Sequence, residues 1–197
     1  MKKQLLEQFM KNSKIIAIAA ITKDGILAID GKMPWDCPED LRRFQRLTMN
    51  NTVIMGRRTW ESLGKRCLPN RENYIVSREN NASFSLVVGT AARCFTHIDY
   101  AINESQLKFP DKDVYIMGGA SVYTQTLPIC DELELTIIDE SLVNREGTDV
   151  LYFKEYPKTI DALFELDHKF KTPYATYKKY KRKTSSFSNK AGTILTP

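Results

Sequence analysis

Residues 14–21, Lys-Ile-Ile-Ala-Ile-Ala-Ala-Ile, form a run that is continuously apolar after its opening lysine, with no helical polarity. Its length fits a strand buried on both faces, as in a parallel sheet. Thr22-Lys23-Asp24-Gly25 reads as a turn. Residues 25–36 hold two glycines and a proline in mixed sequence and read as a long loop, a length usually tied to function in a compact domain. A helix is predicted over 38–47, then a strand at 51–56, a helix at 57–63 and strands at 73–77 and 85–88. A helix at 98–107, a strand at 113–117, a helix at 122–127 stopped by Pro128 and a strand at 133–138 follow. Segments 162–167 and 174–180 read as late antiparallel strands, with Tyr174, Thr176 and Tyr180 on one face by their spacing of two. Alternating strands and helices predict an α/β fold: a mostly parallel central sheet, antiparallel C-terminal strands and flanking helices.

Composition narrows this little. At 197 residues the chain suits one domain with a substantial core. No run of 18 apolar residues occurs, so no membrane span is expected. Residues 1–13 have apolar positions at helical spacing but no secretory core, and read as a short amphipathic extension of a cytoplasmic protein. Residues 184–197, rich in Ser, Thr and Lys, read as a disordered tail after a domain spanning 14–183. Cys37, Cys67, Cys94 and Cys130 form no CxxC pair, and only His97 and His168 could join them. They read as free thiols in a reducing compartment, with no metal site.

The net charge of +5 is unevenly spread. After Asp167 there are eight bases and no acids, which leaves 21 bases against 24 acids in residues 1–167. A basic end can hold nucleic acid, and is more often a solvated surface.

The candidate chemistry centres on Asp40. Pro34 and Pro38 break regular structure around Met33-Pro34-Trp35-Asp36-Cys37. A helix from Pro38 places Asp40, Leu41 and Phe44 on neighbouring faces. One carboxylate beside an aliphatic chain and an aromatic ring makes a pocket wall with a single charge. It would accept paired N–H groups from a flat, nitrogen-rich heterocycle; equally, a first-turn acid can simply complement the helix dipole. Three strand ends offer phosphate donors: Gly56-Arg57-Arg58-Thr59, Ser77-Arg78 and Gly118-Gly119-Ala120-Ser121. Ligands bind at the carboxyl ends of strands in open α/β sheets, so these ends suggest a dinucleotide, although no G-x-G-x-x-G is present.

In order and spacing these pieces resemble dihydrofolate reductase. The resemblance rests on Met33-Pro34-Trp35, Asp40-Leu41-x-x-Phe44, Val53-Ile54-Met55-Gly56-Arg57-x-Thr59-Trp60-Glu61-Ser62, Leu68-Pro69-x-Arg71-x-Asn73, Met117-Gly118-Gly119 with Val122-Tyr123, and Leu135-Thr136, and it covers residues 14–183. It implies NADPH-dependent reduction of dihydrofolate by a cytoplasmic monomer that needs no nucleic acid, membrane or metal and is sensitive to antifolates. The catalytic residues would be Asp40, Trp35 and Thr136, with Thr136 buttressing Asp40. Ile18, Ala20, Leu41, Phe44, Leu63, Leu68, Met117 and Tyr123 would line the substrate, and Arg71 would pair with its glutamate carboxylate. Ala20, Leu27, Gly56, Arg57, Arg58, Thr59, Ser77, Arg78, Met117, Gly118, Gly119, Ala120, Ser121, Val122 and Tyr123 would contact NADPH. A cis peptide at Gly118–Gly119 is implied, with residues 25–36 as the mobile loop.

Some positions depart from the family pattern. Leu27-Ala28 stands where Ile-Gly is usual, and an alanine tolerates positive φ poorly. Ser121 stands where a base is common, and Gly147-Thr148-Asp149 replaces a Gly-Asp-Thr block. Two other readings stay open: a pyrimidine reductase of the riboflavin pathway, which shares the fold, and a structural or nucleic-acid-binding protein working through its basic end.

Overall fold

The computed structural model describes residues 13–78 and 92–184. Its strands are β1 (Ile15–Ile21), β2 (Ile26–Ile29), β3 (Thr52–Gly56), β4 (Glu72–Val76), β5 (Ala92–Phe95), β6 (Val114–Ile116), β7 (Glu132–Ile138), β8 (Val150–Tyr152), β9 (Phe164–Lys171) and β10 (Ala175–Arg182). The helices are α1 (Pro38–Thr48), α2 (Arg57–Ser62), α3 (Ile98–Lys108), α4 (Ala120–Thr126) and α5 (Lys158–Leu163). Among the described residues the main sheet runs β5-β4-β3-β6-β1-β7-β10-β9. Every pairing is parallel except β7–β10 and β10–β9. This is the expected α/β arrangement.

Period-two alternation sends each strand's residues to two cores. Ala17, Ala19 and Ile21 of β1 join Ile54, Ile116, Leu133 and Leu135 beneath α3, α4 and α5. Ile16 and Ile18 face the other way, with Val53, Met55, Ile75 and Tyr115, against Trp60 of α2 and Phe44 and Leu47 of α1. A third cluster of Trp35, Cys37, Ile138, Ala175 and Tyr177 closes the end of that face beside Ala20.

Several expectations need correction. Residues 26–29 are not loop: β2 pairs antiparallel with β8, with a register shift between Ile26 and Ala28. Ala28 thus lies in a strand, and the positive φ values fall on Gly25, Asp30 and Gly31 instead. The 122–127 helix begins earlier, at Ala120, and Pro128 lies within a 3-10 turn, Leu127–Ile129, rather than ending all helical structure. Residues 162–163 belong to α5, and the strand begins at Phe164. Tyr174 precedes β10 and is exposed, while Ala175 and Tyr177 are buried on one face and Tyr180 on the other. The expected strand at 85–88 lies outside the described residues, as do the terminal extension (1–12) and the tail from 185.

Much of the basic end is committed internally. Lys179 reaches Glu132 at 2.8 Å and Lys181 reaches Asp167 at 2.7 Å. Arg182 donates to the carbonyls of Cys130 and Leu127.

Candidate active site

α1 starts because Pro38 fits the first helical position, where its missing N–H is not needed. Glu39 and Asp40 then occupy the first turn, where negative charge is favourable. Asp40 is only 9% exposed. Burial pushes its carboxyl above the usual carboxylate range; a hydrogen bond from Thr136 and the positive charge of Arg43 pull it back. Among the described residues no ion pair involves Asp40.

The sheet register explains the partner. Ala20 of β1 pairs with Thr136 of β7, which pairs with Tyr177 of β10. These three form one cross-strand row on the face that α1 covers. Ile18 lies in the next row on that face, opposite Glu134. Phe44 is half-buried against Ile18's cluster, whereas Leu41 is 50% exposed and Leu63, at the end of α2, also remains open. Trp35 sits in a different cluster, bridged to Val143.

Beyond Phe44, Arg71 donates from Nη1 to Thr48 Oγ1 at 3.0 Å and from Nε to the Pro69 carbonyl at 3.0 Å. Its guanidinium carbon lies 5.9 Å from the Phe44 ring centroid. Asn73 holds this turn in place. Its amide donates to the carbonyls of Leu68 and Arg71 and accepts the Leu68 N–H, at 2.8–2.9 Å. The sequence motif contained Asn73 but gave it no role; a buried amide has to find such partners.

The second half of the site lies where β3 and β6 end side by side. The Gly56 N–H donates to the Gly118 carbonyl at 2.7 Å, and the Met117 N–H to Ile54 at 2.9 Å. The Gly118–Gly119 peptide is cis. Gly118 has φ +92°, and a Cβ there would lie 2.7 Å from Tyr123. At Gly56 it would lie 3.2 Å from Val122, and at Gly119 3.5 Å from Thr59 Oγ1. Neither α2, starting at Arg57, nor α4, starting at Ala120, has a side-chain N-cap, which leaves first-turn N–H groups for a ligand. Arg57 pairs with Glu61 at 2.8 Å. Arg58, Arg78 and Ser121 are exposed, and Ser77 is half-exposed. Val122 and Tyr123 are buried, with Tyr123 Oη donating to Ile18 O at 2.6 Å.

Leu27 is half-buried against the core beneath α4. The segment after β7 docks on the turns at both ends of β2: Asp30 accepts the N–H groups of Thr148 and Asp149, and Arg145 bridges Asp24 and Glu140. Gly147, with φ +132°, lies so close that a Cβ would meet Ile29 and Asp30.

The sequence profile of the family described as Dihydrofolate reductase matches residues 14–182. The chain belongs to the dihydrofolate reductase family. Similar members include the dihydrofolate reductase of Mycobacterium leprae, 36% identical over 68% of this chain and 77% of that protein. The dihydrofolate reductase of Buchnera aphidicola is 35% identical over 72% and 80%. Among solved structures, dihydrofolate reductase from Enterococcus faecalis, complexed with NADP(H) and RAB-propyl, superimposes with a TM-score of 0.70 at 28% identity. That match covers 88% of this chain and 98% of the other.

Proposed function

We infer that the family reaction, NADPH-dependent reduction of 7,8-dihydrofolate to 5,6,7,8-tetrahydrofolate, is served in this chain by Asp40. One observation carries the assignment: a buried carboxylate without an ion-pair partner among the described residues, facing Thr136, at the head of an apolar wall. Its two oxygens accept the paired N–H groups at N3 and the 2-amino position of the pterin. The raised proton affinity of Asp40 favours protonation of N5 through water. Thr136 fixes the carboxylate's orientation. Ile18, Ala20, Leu41, Phe44, Leu63 and Leu68 supply the apolar wall, and Trp35 closes the end of the site. Arg71, half-buried and without a carboxylate partner among the described residues, takes the substrate's α-carboxylate.

NADPH, when bound, supplies the hydride for pterin C6. The glycine-lined groove and the uncapped helix starts fit its phosphates. Gly56, Thr59, Gly118, Gly119, Ala120, Ser121 and Val122 would hold the pyrophosphate. Arg57, Arg58, Ser77 and Arg78 would hold the outer phosphate and adenosine, and Ala20, Leu27, Met117 and Tyr123 would flank the nicotinamide. The chain's contribution is orientation, charge and exclusion of water.

The paired acceptor on Asp40 also suits the amidine edge of diaminopyrimidine antifolates. We read the protein as a cytoplasmic monomer; that it acts without nucleic acid is supported by Lys179, Lys181 and Arg182 of its basic end, which already have partners. No helix among the described residues is long and apolar enough to cross a membrane. The test is the loss of NADPH absorbance on adding dihydrofolate. Asp40→Asn, with the fold intact, should abolish most of it at neutral pH; wild-type turnover in that variant defeats the assignment.

A further inference from the structure

Behind Asp40, on the side of α1 turned toward β10, the sheet carries charge where an apolar core is the rule. Glu132 and Glu134 of β7 are both 5% exposed. Arg43, one helical turn after Asp40, forms an ion pair with Glu134 in which both side chains are almost fully buried. Lys179 of β10 stands across from Glu134 in the register and reaches it at 3.8 Å, and it reaches Glu132 at 2.8 Å. Lys14 closes the chain on Glu132 at 2.7 Å. The Arg43 guanidinium lies 5.1 Å from the centroid of Tyr177, the residue opposite Thr136. Asp40 and Thr136 therefore occupy one row of this face, and Glu134 and Lys179 the next. Arg43 crosses from the helix of the first to the acid of the second.

A buried ion pair is weak evidence for stability, since well-packed apolar groups of the same size do as well. Its position here suggests another use. Resting on the assignment of Asp40 above, we propose that Arg43 is a positioning residue: held by Glu134, whose other oxygen faces Lys179, it keeps a fixed positive charge behind Asp40 and thereby sets the pH at which that carboxylate gives up its proton.

The field at Asp40 comes from identifiable groups. Glu39 and Arg43 face it from α1, Thr136 from β7, Tyr177 from β10 and Tyr123 from α4. Of these, Arg43 alone is a cation. Glu134 offsets that charge and pins its location. A cavity of about 370 Å³ is lined by Arg43 and Glu134 together with Arg46, Asp167 and His168; these last three face the pair and are not among the groups that act on Asp40. Removing the cation should leave Asp40 protonated to higher pH. Removing Glu134 should do the reverse, because Arg43 then acts uncompensated.

The experiment measures two things in Arg43→Met, Arg43→Lys, Glu134→Gln and the double variant R43M/E134Q. One is the carboxyl carbon titration of Asp40 in the ligand-free protein by NMR, assigned with Asp40→Asn. The other is kcat/KM for dihydrofolate against pH. At a pH on the falling limb, R43M should keep roughly threefold more of its low-pH plateau than wild type, and E134Q roughly threefold less. R43K should follow wild type, and the double variant should lie between the two singles. If R43M does not fold, the step from E134Q to the double variant decides. A merely structural role would lower stability without moving the two titrations in opposite directions. Unchanged titration of Asp40 in the variants, or shifts of R43M and E134Q in the same direction, overturns the proposal. A wild type that does not reduce dihydrofolate would instead overturn the parent assignment, and the NMR titration would still decide this one.

Discussion

Replacing Gly118 by alanine tests the geometry of the glycine groove. A Cβ at Gly118 would stand 2.7 Å from Tyr123 Cε2, 2.9 Å from Cζ and 3.0 Å from the hydroxyl. Ordinary contact begins near 3.4 Å, so the ring must retreat by about 0.7 Å in a core that is close-packed. It has little room. Tyr123 is 3% exposed, its ring centroid lies 4.8 Å from that of Phe153, and its hydroxyl is bound to Ile18 at 2.6 Å. The backbone adds a second penalty, because φ +92° suits glycine and strains any L side chain by about 1–3 kcal/mol. Overpacking adds about 1–3 kcal/mol, and losing the buried hydroxyl's partner a similar amount. Allowing for partial relaxation, Gly118→Ala should destabilise the protein by roughly 3–5 kcal/mol. In a chain of this size that lowers Tm by about 10 °C. Thermal melting by circular dichroism reads this directly. The same variant should bind NADPH more weakly by fluorescence titration, since Gly118 borders the groove. A Tm within about 2 °C of wild type would refute the steric argument, as each kcal/mol alone should move it that far.

Asn73→Ala removes three buried hydrogen bonds that hold the turn carrying Leu68 and Arg71. It should cost about 2–4 kcal/mol and raise KM for dihydrofolate more than it lowers kcat, which steady-state kinetics will separate. Burial raises the proton affinity of Asp40 in the folded state, so the native form binds more protons than the unfolded chain between pH 3.8 and its raised value. Stability should fall as pH rises through that window, and Asp40→Asn should melt higher than wild type at neutral pH, with the gain vanishing below pH 3.8. Equal Tm values at neutral pH count against this. Arg57, held by Glu61 at the start of α2, should favour NADPH over NADH. Arg57→Ala should narrow that preference in kcat/KM, and equal use of both by wild type refutes the phosphate assignment.

The parts of the fold that were legible in the sequence are those with long or repeated signals. The run at 14–21 and the strand–helix alternation follow from hydrophobic period alone. Asp40 was legible because Pro38 fixes the helix start and thus the face of each following residue. The hidden parts are short. β2 and β8 have four and three residues, with one register shift between them, too little for a period to show. α5 has six residues, and its Ala162 and Leu163 passed for the start of the next strand. Tyr174 passed for a face partner of Tyr180, although the chain turns just before Ala175. Glu132 and Glu134 alternate with Leu133 and Leu135, a pattern that reads as a strand with one wet face. α1 covers that face, and only the tertiary arrangement shows that the acids are buried with Arg43 and Lys179.

The most direct test of the central claim compares wild type and Asp40→Asn in one assay, following NADPH absorbance at neutral pH with saturating dihydrofolate. Wild type should consume NADPH only when dihydrofolate is present. The folded variant, checked by its melt, should lose about a hundredfold or more in kcat, the scale expected when a positioned proton donor is removed. A variant within about threefold of wild type would contradict the account, because the orientation and protonation assigned to this carboxylate would then be supplied elsewhere.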